Sequence, residues 1–225
     1  MGSIAPAISS THNELVIRHS AQLEPTRRAW HAVAELVLAG PQHRRGGGIR
    51  LRVIQGGFAT TSQPDLRVIG GELVLSDARI PINGRTCADL AGAAGVDVGE
   101  PTDLYRDGSH VDPNEVLEID DDAAEELARA YAVGDEALRQ LSPADTPVLW
   151  PEHFDNAIRI DGITYGVSPG DGFSSVPYAY VGPDRHGEEA FWNAPFGAAR
   201  PVAEMHDANA MIAFFVEGRT LADGW

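Results

Sequence analysis

The chain has 225 residues and a formal net charge of −16, and all 17 of its lysine-plus-arginine residues are arginine. The absence of lysine excludes Schiff-base catalysis and phosphate loops that depend on lysine, and the negative charge argues against binding to nucleic acid. Cys87 is the one cysteine, so an internal disulfide is excluded. Neither a run of ~20 apolar residues nor a secretory signal is evident, and we therefore expect a soluble cytoplasmic protein that does not associate with membranes.

The first half of the chain predicts a leader, two helices and several short strands. Residues 1–13 are small and polar, as is typical of a flexible leader. Apolar spacing predicts a helix from Pro25 to Leu38, ended by Gly40-Pro41. Strand patterns follow over residues 49–54, 66–69 and 72–75, and a second, short helix over residues 86–94 begins at the capping residue Thr86. His31 is interpreted as a partly exposed helix residue, and Cys87 as a buried structural thiol whose role stays open.

An acidic segment and a proline-rich linker divide this half from the rest. Residues 97–122 indicate a loop, and residues 122–141 have the apolar face of a long helix. The prolines between Ser142 and Pro147 mark the main internal boundary. The predicted organisation is therefore an N-terminal α+β half over residues 14–141 and a C-terminal, β-rich half with a final helix over residues 148–225, folded together as one unit.

Tight turns dominate the second half. Asp161-Gly162 predicts a type I′ turn between strands at 157–160 and 163–167. Further strands are expected at 177–181, which begins with a proline, and at 190–193. A last helix is expected from Asp207 to Val216. Short strands joined by turns favour an α+β fold with mostly antiparallel sheet, three main helices and one short helix.

One stretch of the sequence matches a catalytic motif but lacks a backbone N–H that the motif requires. Gly166-Val167-Ser168-Pro169-Gly170 matches the GxSxG pattern of hydrolases. The residue after the serine must donate its backbone N–H to the oxyanion, and Pro169 has none. A serine hydrolase is therefore excluded.

Glu152, His153 and Asp155 are the candidate catalytic residues. If the segment is extended, His153 and Asp155 share a face and can act as a base and its orienting partner. A structural role for His153 in a turn stays open, as does a metal site completed by His186 or His206. Because no metal-binding spacing such as HExxH or CxxC is present, we predict no metal and no cofactor.

Aromatic residues cluster in the same stretch and indicate a pocket. The candidate ligand-binding residues are Trp150, Asp171, Tyr178, Tyr180, His186, Trp192 and Asn193. A concave site of this composition is typical of small-molecule binding. The leading hypothesis is ligand binding or acid–base chemistry without a cofactor. The alternatives are a non-enzymatic interaction or scaffold protein, in which the aromatics are only core, and a metal-dependent enzyme that uses His153; the oligomeric state stays open.

Several phrases of the sequence resemble a known group of proteins. They are LWPEHFDNAI, GVSPGDGFSSVPYAYVGP, FWNAPFGA and, nearer the N-terminus, WHAVAELVLAG followed by IRLRV and GGF. These are similar to segments of an uncharacterised actinobacterial family of about this length. The resemblance implies a cytoplasmic actinobacterial protein that folds as one unit, and it brings no functional residue with it.

Overall fold

The computed structural model describes residues 23–76, 78–105 and 107–222. The predicted leader, residues 1–13, lies outside the described residues. The helices are α1 (residues 23–44), α2 (Cys87–Ala94), α3 (Asp121–Leu141) and α4 (Ala208–Ala222). The strands are β1 (Leu51–Ile54), β2 (Gly57–Thr60), β3 (Leu66–Ile69), β4 (Glu72–Leu75), β5 (Ala78–Pro81), β6 (Val148–Trp150), β7 (Asp155–Ile160), β8 (Ile163–Ser168), β9 (Tyr178–Pro183) and β10 (Ala198–Pro201).

All ten strands join one antiparallel sheet, in the order β10-β9-β8-β7-β6-β1-β2-β3-β4-β5. The α+β prediction with mostly antiparallel sheet is confirmed. β1–β5 and β6–β10 each form a meander of five strands, and each meander follows a long helix, α1 or α3. The two meanders meet where Leu51 of β1 pairs with Leu149 of β6. The sheet is therefore continuous across the proline-rich linker.

Helix α1 carries a π-helical stretch, Val33–Ala39, whose residues are all buried. The predicted end at Gly40-Pro41 is wrong, because α-helix resumes over Gly40–Arg44. Pro41 falls in the first turn of this resumed segment, where a missing backbone N–H is tolerated. π-Helical turns are frequent at functional sites, and this one places the acidic residue Glu35 in the protein interior.

The N-terminal ends of α2 and α3 are fixed by capping side chains. Thr86 accepts a hydrogen bond from the backbone N–H of Asp89, whose carboxylate accepts one from Thr86 N in return, so α2 begins with a capping box. Asp120 caps α3 by accepting from Ala123 N at 2.9 Å. Both predicted helices are confirmed. Among the described residues, no helix combines the length and apolar character needed to cross a membrane.

The β7–β8 turn is also confirmed, whereas one predicted strand is wrong. Asp161 and Gly162 have φ angles of 49° and 84°, as a type I′ turn requires. Residues 190–193 form a turn and irregular chain, and the edge strand is β10. The cause is Asn193, whose amide side chain donates to Ala199 O at 3.0 Å and accepts from Ala199 N at 2.8 Å. The side chain of Asn193, rather than the backbone of a further strand, therefore bonds with the N–H and carbonyl groups of Ala199 in β10.

Candidate functional site

A cavity of about 680 Å³ lies where the first turns of α1 approach β7, β8 and β9. Its wall also includes the loop at residues 107–109 and the turn between β6 and β7. The lining residues are Glu24, Arg27, Arg28, His31, Asp107, Gly108, Ser109, Glu152, His153, Phe154, Asp155, Ser168, Pro169, Gly170, Asp171, Tyr178, Tyr180 and Phe196.

The structure brings six of the ten predicted site residues to this cavity. They are Glu152, His153, Asp155, Asp171, Tyr178 and Tyr180. The other four do not line it. His186 stacks on Trp192 at 5.2 Å between ring centroids, Asn193 binds the edge strand, and Trp150 lies under the guanidinium of Arg50.

The centre of the site is a hydrogen bond from the hydroxyl group of Tyr180 to Oδ2 of Asp155. Tyr180 is on β9 and Asp155 is on β7, so the tyrosine ring must cross β8. It crosses at Gly166, which pairs with Tyr180 and where an added Cβ would lie 2.5 Å from the ring. Glycine at this position therefore makes the contact possible.

The environment of this pair shifts both ionisations. Burial raises the pKa of Asp155 above its usual range, and the hydrogen bond from Tyr180 partly opposes that shift. The pKa of Tyr180 is well above its usual value, first because of burial and then because of the adjacent Asp155 carboxylate. Tyr180 therefore stays a hydrogen-bond donor, while Asp155 takes up a proton more readily than an exposed aspartate.

A second tyrosine–aspartate pair stands beside the first. Tyr178 lies two residues before Tyr180 and so projects from the same face of β9, and its hydroxyl group donates to Oδ2 of Asp171 at 2.6 Å. The other carboxylate oxygen of Asp171 accepts from the backbone N–H groups of Phe173 and Ser174, at 2.8 and 3.2 Å. Burial, and then the bond to Asp171, raise the pKa of Tyr178. Asp171 thus fixes both its own loop and the tyrosine.

The segment around His153 is a turn, so the extended conformation that would place His153 and Asp155 on one face is not formed. Trp150 pairs with Asp155, so the intervening residues close a β6–β7 hairpin. Phe154 has a φ of 54°, and its ring is buried. The alternation of side chains therefore fails, and His153 Nε2 lies 3.2 Å from Glu152 Oε1, while Asp155 binds Tyr180.

Helix α1 supplies residues that were not predicted for the site. His31 places Nε2 2.7 Å from Pro151 O and stacks on Phe154, with ring planes 4° apart. Burial lowers the pKa of His31, which favours the neutral imidazole. A signal was available: Glu24, Arg27, Arg28 and His31 have the spacing i, i+3, i+4 and i+7, which places polar side chains on one helix face.

Buried Glu35 holds the loop that closes another side of the cavity. Its Oε2 accepts hydrogen bonds from the backbone N–H and the hydroxyl group of Ser109, at 2.9 and 2.6 Å. Gly108 packs so closely that an added Cβ would lie 2.2 Å from Glu35 Oε1. Glu35 is therefore a positioning residue for the wall of the cavity.

His153, His186 and His206, which the sequence offered as metal ligands, form no metal site with other described residues. Within the described ranges, no three His, Cys, Asp or Glu side chains form a group that could hold a metal ion. The buried thiol of Cys87 has a pKa raised to about 12 by burial, which disfavours the thiolate that would act as a nucleophile.

Comparison of the chain with protein-family models, curated proteins and solved structures found no match.

Proposed function

We propose that this protein binds a small organic molecule in the cavity between α1 and β7–β9. The observation that carries the proposal is the two adjacent tyrosine–aspartate pairs, Tyr180–Asp155 and Tyr178–Asp171, on the wall of a cavity of about 680 Å³. Ligand sites usually enclose roughly 300–1,000 Å³ and combine aromatic walls with a few fixed polar groups. Both features are present here.

Acid–base chemistry without a cofactor is the second candidate, and the environment of Asp155 favours it. A carboxyl group with a raised pKa in a cleft is a candidate for proton transfer to or from a bound substrate. His153 and Glu152 lie at the same cavity and in contact with each other, so a substrate would meet all three side chains. In this proposal Asp155 is the group that transfers the proton.

A panel of metabolites read by thermal unfolding tests the binding proposal. A ligand at 100 times its dissociation constant should stabilise the protein by about 2.7 kcal/mol. Asp155→Asn should weaken that response, whereas Asp161→Asn should not, because Asp161 is exposed in the β7–β8 turn. A saturable response of equal size in the parent protein, Asp155→Asn and Asp161→Asn would show that the ligand binds outside this cavity.

The competing hypothesis is a non-enzymatic interaction protein of the cytoplasm. It predicts that no member of a broad panel stabilises the protein. The cavity polar groups would then serve only to fix the loops at residues 107–109 and 168–171. Such a result, obtained with a panel that includes cationic, neutral and anionic compounds, would contradict the binding proposal.

A further inference from the structure

The cavity is rich in negative charge. Its acidic lining residues are Glu24, Asp107, Glu152, Asp155 and Asp171. The arginines among the described lining residues are Arg27 and Arg28. Charge of one sign inside a cleft concentrates ligands of the opposite sign, and the net charge of −16 on the whole chain acts in the same direction.

The two arginines are already engaged with the protein. Arg28 makes a bidentate ion pair with Glu115, at 3.0 and 2.9 Å. Arg27 donates to the backbone carbonyl of Ser175 at 3.4 Å. The pKa of His31 is lowered by burial, so the imidazole adds no charge at neutral pH. An anionic ligand would therefore have to displace existing contacts and approach the carboxylates.

Aromatic rings form the adjacent wall. Phe196 stacks on Tyr178 with ring centroids 6.2 Å apart and meets Tyr180 edge to face at 6.0 Å. Phe173 contacts both Tyr178 and Phe196 and is 46% exposed. Faces of aromatic rings attract organic cations, and the attraction is stronger when the cation is desolvated. Carboxylates next to such rings therefore provide two complementary attractions for one positively charged group.

From these contacts we infer that the ligand of the cavity carries an organic cation, an ammonium or guanidinium group, placed between the carboxylates and the Tyr178–Phe196 wall. The inference rests on the proposed small-molecule function and specifies its ligand class. Lysine ammonium groups do not compete for this position, because the sequence has no lysine.

Three probes with the same ring and different charge test the ligand class. Phenethylamine, 2-phenylethanol and 3-phenylpropanoate are titrated into the full-length protein by calorimetry at pH 7 and low salt. The amine should bind at least about tenfold more tightly than the alcohol, and the carboxylate should bind most weakly. Equal or tighter binding of the alcohol or the carboxylate would overturn the cation inference and leave the small-molecule proposal standing. Absence of binding by all three probes would overturn the inference, and the wider metabolite panel would then decide the proposed function.

Two variants localise the charge. Asp155→Asn and Glu152→Gln should each raise the dissociation constant of phenethylamine by about tenfold. Glu152 is only partly buried and contacts His153, so Glu152→Gln tests the charge even if Asp155→Asn changes the stability of the protein. Asp161→Asn changes the net charge equally outside the cavity and should leave the affinity unchanged. Equal affinities in all three variants and the parent protein would overturn the inference.

Discussion

Tyr180 reaches across strand β8 and donates its hydroxyl hydrogen to Oδ2 of Asp155. The path of the ring requires glycine at position 166, which pairs with Tyr180, because an added Cβ there would lie 2.5 Å from the ring. Burial raises the pKa of this carboxyl group, and the hydrogen bond from Tyr180 opposes that shift. The stability of the protein and the chemistry of the cavity are consequently coupled through this contact.

Removal of the hydroxyl group should destabilise the protein. Tyr180→Phe leaves the half-buried carboxylate of Asp155 without this donor, and we expect a loss of about 1–3 kcal/mol in the free energy of unfolding at pH 7. Denaturant unfolding measures the change. The loss should shrink in acid, where Asp155 is protonated in both proteins. A cost that is the same at pH 4 and pH 8 would contradict an effect through the Asp155 charge.

Asp155 should make stability depend on pH. Its pKa is raised in the folded state above the ordinary value of about 4, so between those two values the folded protein binds more protons than the unfolded chain. The contribution of Asp155 to stability is therefore complete below pH about 4 and is lost as the pH rises through the folded-state pKa. Asp155→Asn should gain stability relative to the parent protein over that rise.

The measurement is a series of unfolding curves from pH 4 to pH 8. Asp161→Asn, at an exposed turn, serves as the matched control and should show no such trend. A stability difference between Asp155→Asn and the parent protein that stays constant with pH would show that the carboxyl group is not perturbed by folding.

Gly134 should resist replacement although it lies inside a helix. It is buried in α3, and an added Cβ would lie 2.5 Å from a methyl group of Val167 on β8. Gly134→Ala should therefore cost about 1–3 kcal/mol through overpacking, and this exceeds the gain of about 1 kcal/mol in helix propensity. Gly92→Ala in α2 is the control, because nothing lies within 4 Å of its added Cβ, and it should be stabilising. Thermal unfolding of both variants checks the opposite signs.

Glu35 should control the order of the cavity wall. Glu35→Gln keeps the size of the side chain but weakens the charge-assisted hydrogen bonds to Ser109, which we expect to cost about 1–3 kcal/mol. Hydrogen exchange at residues 107–109 should accelerate more than exchange in the strands of the sheet. Glu125→Gln, on the exposed face of α3, should change neither quantity. Unchanged exchange in the loop of Glu35→Gln would contradict the positioning role.

Local signals predicted the local structure well. Thr86 begins α2 and Asp161-Gly162 forms the β7–β8 turn, because caps and type I′ turns depend on side chains and φ angles within a few residues. The failures are also local in origin. Residues 190–193 have a strand-like composition. They stay outside the sheet because the side-chain amide of Asn193 bonds with the backbone of Ala199.

The contacts of the candidate site depend on more than local sequence signals. The sequence by itself placed Asp155, Asp171, Tyr178 and Tyr180 in one chemically active stretch, since they are close along the chain. Only the tertiary structure decided which aspartate each tyrosine binds, since strand register determines that choice. Likewise, the polar face of α1 lies over these pairs only because the two meanders join at β1 and β6 and bury their apolar residues against the helices. Such pairings depend on the burial of apolar surface summed over the whole chain, and no short segment carries that information.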